Sequence, residues 1–333
     1  MEIIRINPSP IYRRELVTLY GQLGKVYDQN PTGIIPVGKV NWDRDIEYLH
    51  KVEQQADDYF CYCISTAKKL ADETGSIADL RTLIEANRRA ARHCRGYRND
   101  KQAAIKHYRE CLRVSKLVAD STNDIQDACN IIKYLDEIGR LYELKKERNT
   151  AKQYYKEALD YACLLVTRTQ SILAKKAASK AWSTWGRMYQ IEKNLTEEFA
   201  CYDKMILLER EIVKEQNTYE NCQSLIYSFK WYGKRCSVNN ELEKANALLT
   251  EALKLANQIT EPNDTEERMY ELASVYYQCA VLDSCISTST TKKYLQRAIE
   301  IWDNLISSSW SYKELVKSAY EDAKVKLKEL DGE

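Results

Sequence analysis

The sequence predicts an all-α chain, a right-handed superhelical solenoid built from stacked antiparallel helix pairs. Three observations predict it. Helix breakers are scarce: the 333 residues hold 10 Gly and 5 Pro, and none of the Pro lies between Val37 and Glu261. That suits long helices and not a turn-rich β protein. Small and large residues alternate at helical spacing, as in Ala151, Tyr155, Ala158 and Leu159. This quartet then recurs at a nearly constant step. Its last residue falls at Leu112, Leu159, Ile206, Leu253 and Ile299, so the steps are 47, 47, 47 and 46. A constant step is the mark of supersecondary units that each bury a face against the next.

Along the chain, residues 1–75 read as a degenerate N-terminal helix pair. Tyr20, Leu23, Gly24 and Tyr27 share one helical face, and the stretch 28–44, with two Pro and two Gly, reads as an inserted loop. A second helix is expected from about Asp45 to Ala71. Residues 76–306 carry the regular repeats. Their first helices present Leu135, Ile138, Gly139 and Tyr142, then Trp182, Trp185, Gly186 and Tyr189, then Phe229, Tyr232, Gly233 and Cys236, and a weaker set at Tyr276, Cys279, Ala280 and Asp283. Arg92 stands where an earlier copy would place its glycine. Small residues there let a neighbouring helix approach, with aromatic rings as wedges beside them. Expected caps are Ser76, Asn149, and Asn263 with Asp264. Residues 307–333 hold an amphipathic capping helix from Ser311 to Leu330, and about fourteen helices are expected in one continuous array.

The spacing of Leu135, Ile138, Gly139, Tyr142, Ala151, Tyr155 and Ala158 resembles the tetratricopeptide (TPR) repeat, over most of residues 80–305. That family's usual period is about 34 residues. The extra length here falls between Ala158 and Trp182, so the resemblance implies TPR-like pairs whose helices are lengthened. It also implies that the first helix of each pair lines a concave groove.

On that face the residue after the small position is Lys25, Arg140, Arg187 and Lys234, and one or two turns earlier stand Lys230, Lys133 and Lys180, with Trp231 and Tyr227 close by. A basic groove of this kind suits an acidic segment or a free C-terminal carboxylate of a protein or peptide. Solvated charges between apolar ridges are the alternative, since an exposed ion pair adds only about 0–1 kcal/mol. A second basic patch comprises Arg88, Arg89, Arg92, Arg95 and Arg98. No nucleic-acid motif accompanies it, so a plain charged surface or contact with an acidic protein is preferred over phosphate binding.

Overall charge names no partner: Lys+Arg 50 against Asp+Glu 49 gives a formal net charge of +1. The N-terminus lacks an apolar core of signal-peptide length, and no apolar run is long enough for a membrane span. The 11 Cys are scattered among helical apolar positions, which points to free buried thiols and a cytoplasmic location, with sequons at Asn194 and Asn263 unused. Enzymatic chemistry finds no support. The three His form no ligand pair, Cys61 and Cys63 lie two apart on a helix and so on different faces, and no glycine loop for phosphate is present. No cofactor or metal is expected. The reading is a non-enzymatic binding scaffold, with a regulatory sensor subunit that changes superhelical shape on binding a peptide as the alternative.

Overall fold

A computed structural model describes residues 17–18, 22, 42–96, 98–260, 265–282, 287–308 and 313–332. Among these the chain forms twelve helices and no strand. They are α1 (Trp42–Thr74), α2 (Ile77–Gly96), α3 (Lys101–Thr122), α4 (Ile125–Leu144), α5 (Arg148–Thr169) and α6 (Ile172–Glu192), then α7 (Leu195–Glu215), α8 (Tyr219–Val238), α9 (Leu242–Ile259), α10 (Glu266–Leu282), α11 (Thr288–Ser307) and α12 (Lys313–Asp331). The fold is an all-α solenoid. It divides into two compact units, Met1–Lys193 and Asn194–Glu333.

In the first unit each helix from α1 to α6 packs on the next, and α4 also packs on α6. In the second unit the same holds from α7 to α12, and α8 packs on α10. The small-large quartets fill the layer between first and second helices. Ala104, Tyr108 and Cys111 on α3 are buried, as are Ala151, Tyr155, Ala158 and Leu159 on α5. On α9, Ala245, Leu249, Ala252 and Leu253 repeat the arrangement. On α7 the first position is Glu198, fully buried, and it is tolerated because Arg235 of α8 grips it with two hydrogen bonds of 2.5 and 2.9 Å.

Several helix starts carry side-chain caps. Ser76 Oγ accepts from Asp79 N, Asp124 Oδ1 from Gln126 N, Ser171 Oγ from Ala174 N and Thr218 Oγ1 from Asn221 N. Asn194, one of the two sequon asparagines, caps α7 through its Oδ1. Asn149 does not cap α5: it lies inside the helix, whose N-cap position is Glu147 without a side-chain cap bond. The expected start of the second helix near Asp45 also moves, to Trp42. The first-helix set at residues 20–27, most of the loop 28–44, and the caps Asn263 and Asp264 lie outside the described residues. Among the described residues no helix is long and apolar enough to cross a membrane.

Candidate binding groove on the first helices

In the first unit α2, α4 and α6 share one face, and two adjoining hollows lie along it. The larger, of about 560 Å³, is bounded by α2 and α4 and includes Arg81, Arg88, Asp127 and Lys133. The other, of about 260 Å³, lies between α4 and α6, with Tyr155 and Ala158 of α5 as part of its wall. Gln126, Asn130 and Lys133 line both. Lys133 therefore stands on the ridge where the hollows meet.

The cations along this face divide into two groups. Most are held by carboxylates. Arg81 bridges from α2 to Asp127 on α4 at 2.6 Å and to Asp124 at 3.4 Å. Arg88 and Arg89 share Glu85. Burial tends to raise the Glu85 carboxyl, but the hydrogen bonds from both guanidiniums outweigh it and hold it below its usual range. Arg95 and Arg140 share Glu137, at 2.8 and 2.5 Å. Lys180 reaches Asp136 at 3.3 Å. Arg92 and Lys133 have no ion-pair or hydrogen-bond partner among the described residues. The Lys133 ammonium is pushed below the usual lysine range, first by desolvation and then by the nearby charges of Arg88, Arg92 and Lys180, with Glu137 opposing. The carboxylates of the groove are thus saturated by cations, and positive charge is left over around Lys133.

The sequence-derived stripe is only partly a groove feature. Arg187 turns inward, with Nη1 and Nη2 on Glu143 of α4 at 2.5 and 2.9 Å and Nη2 also near the Tyr155 hydroxyl at 3.3 Å. It is a clamp between α4, α5 and α6, and not a free recognition charge. Lys230 is engaged in the same way. It is 8% exposed, and its Nζ donates to Glu271 at 2.8 Å and to Ser274 at 2.9 Å, fastening α8 to α10. The spacing rule placed both on the right helix but could not see that a carboxylate on a packed neighbour consumes them. In the second unit, Trp231 packs edge-on against Tyr202 at 4.5 Å. Beside it Tyr227 and Lys234 are exposed, and Lys234 has no partner among the described residues. Lys25 lies outside the described residues. Of the second basic patch, Arg88, Arg89, Arg95 and Arg98 are all ion-paired, Arg98 with Asp57 at 2.8 Å. Only Arg92 contributes free charge. Sequence reading missed the neutral part of the groove, Gln126 and Asn130, because a polar residue on an exposed helical face carries no signal of its own.

Ten cysteines are described, all free, and seven of them are buried. Burial pushes the Cys94 thiol up to about 11 and the Cys236 thiol up to about 12, which keeps both protonated and slow to react near neutrality. Among the described residues no group of His, Cys, Asp and Glu is placed to hold a metal ion.

No protein-family model matches the sequence, and no relative among the curated proteins matches it. Solved structures do. The S. pombe nuclear import adaptor Nro1 aligns with a TM-score of 0.54 at 11% identity, covering 93% of this chain and 99% of that one. A second structure of Nro1, described as a hypoxic regulator of sterol synthesis and a nuclear import adaptor, gives 0.54 and 11%, covering 94% and 98%. BtubC from P. vanneervenii gives 0.49 at 14% identity, covering 74% of this chain and 89% of that one. At such identities the likeness to Nro1 is one of fold, a stack of helices shared over nearly the whole length of both chains.

Proposed function

We propose that this chain is a non-enzymatic adaptor, a TPR-like array with units lengthened to about 47 residues. Its groove on α2, α4 and α6 receives an acidic segment of a partner protein. The observation that carries the reading is the surplus of positive charge at Lys133, on the ridge between two hollows whose own carboxylates are already engaged, with the charge of Arg92 near enough to act on it. Lys133 is exposed, and an ammonium crowded by neighbouring cations without a counter-ion is an arrangement that an incoming carboxylate relieves. Multipoint contact on a rigid helical face then sets orientation. That Nro1 is described as a nuclear import adaptor supports an adaptor role for a chain of this fold.

The test is fluorescence anisotropy with a labelled octaglutamate peptide. Lys133→Glu combined with Arg92→Glu is expected to weaken binding by at least ~10-fold. Undiminished affinity in the double variant would defeat the proposal. Reversal of Arg187 is a poor test, because it leaves Glu143 facing a like charge inside the fold.

A further inference from the structure

We propose that the cavity between α4, α5 and α6 is an anchor pocket for one bulky apolar side chain of the acidic segment. In this arrangement the apolar residue lies beside the carboxylate taken up by Lys133. The inference rests on the groove reading above and names the kind of sequence the groove selects.

The cavity is hollow because the residues around it are short. Ala158 on α5 and Ala177 and Ala181 on α6 form one side, Cys129 and Ile132 on α4 the other, and the ring of Tyr155 closes part of the wall. The Cys129 thiol is pushed up to about 11 by burial and then by Asp124, so it presents a neutral sulfur. The wall is therefore mostly apolar. Gln126, Asn130 and Thr184 add neutral polar groups to the lining, and of its charged members Asp136 is taken by Lys180 and Glu137 by Arg95 and Arg140, leaving Lys133 to meet a ligand. At about 260 Å³ the space falls below the range of roughly 300–1,000 Å³ common for small-molecule sites. It accommodates a side chain instead. An apolar pocket beside a lone cation is complementary to a leucine-like residue flanked by Glu or Asp, and not to a uniformly acidic run.

The test compares two fluorescein-labelled pentapeptides, Glu-Glu-Leu-Glu-Glu and Glu-Glu-Ala-Glu-Glu, on the full chain. The leucine peptide is expected to bind at least ~10-fold more tightly, as burial of one such side chain provides. Ala177→Leu fills the hollow and should erase that preference, so that the two peptides bind equally. On the unsubstituted chain, the leucine peptide should slow alkylation of Cys129, mapped by mass spectrometry, more than the alanine peptide does. Equal affinity for the two peptides, with both weakened by Lys133→Glu, overturns the pocket and leaves the groove standing. A leucine preference without protection of Cys129 places the side chain elsewhere and also overturns the pocket. Failure of both peptides to bind overturns groove and pocket together.

Discussion

At the scale of single residues, Gly139 shows how little room the repeat leaves. A Cβ built there would lie 2.6 Å from Tyr155 Cε1 and 2.8 Å from Cδ1. The ring cannot retreat easily, since its hydroxyl donates to Glu143 Oε2 at 2.9 Å and sits beside Arg187. Gly139→Ala is expected to destabilise the fold by about 1–3 kcal/mol, seen as a lower urea midpoint. Gly233→Ala is the contrast. Its nearest neighbour is the branched end of Leu249, at 3.1 Å from Cγ and 3.2 Å from Cδ2, so the same change there should cost less than Gly139→Ala. Lys133 makes the second residue-level prediction. Its folded-state pKa is depressed, so the unfolded chain binds more protons, and wild-type stability rises with pH as the folded ammonium titrates ahead of the usual lysine range. Lys133→Met should therefore raise Tm at neutral pH, with the gain shrinking as pH climbs toward that range. A gain that stays constant from neutral to alkaline pH would refute the assignment. Gly139 and its partner Tyr155 were legible in the sequence because both obey the repeat. The fate of Arg187 and Lys230 was not, because a stripe of like charges looks the same whether its partners are in solvent or on the next helix.

At the scale of elements, the scarcity of glycine that predicts helices also hides where they end. Asn99, Asn123, Lys146, Gln170, Lys193 and Asn240 all adopt positive φ at or beside helix ends, while among the described residues only Gly75 and Gly332 are glycines with positive φ there. Asparagine tolerates this region, but lysine and glutamine carry a cost there. Gln170, at φ +51 after α5, has no side-chain bond to lose. Gln170→Gly is expected to stabilise the chain by roughly 0.5–1 kcal/mol, the relief of backbone strain less the added freedom of glycine in the unfolded state. Calorimetric unfolding checks the sign, and a lower Tm would show that Gln170 is not strained. The same feature explains an error of sequence reading. With no glycine to mark the C-cap, the cap of α5 is expected at Asn149, when the chain already turns helical at Arg148.

At the scale of the whole chain, what the sequence revealed was periodicity, and periodicity determines fold class. Second helices begin at Lys101, Arg148, Leu195, Leu242 and Thr288; the quartets of the first four are buried, and in the last copy Leu295 and Ala298 are. Function left a fainter trace. With 50 basic and 49 acidic side chains the composition is neutral, and only the bookkeeping of which carboxylate holds which cation exposes a surplus at Arg92 and Lys133. Much of that pairing depends on contacts between residues far apart in sequence, such as Arg95 with Glu137, 42 apart, and Arg187 with Glu143, 44 apart. No local window of sequence contains them.

The bonded phenol of Tyr155 has one further consequence. Its ring forms a wall of the α4–α6 cavity, and its oxygen is tied to α4 through Glu143 and to α6 through Arg187. A wall fastened from both sides need not be assembled when a guest arrives, because folding has already met the loss of freedom. Arrival at this cavity is then governed by how often a negatively charged segment encounters the face. The length of its stay is governed by how fully it occupies a space whose shape was set beforehand.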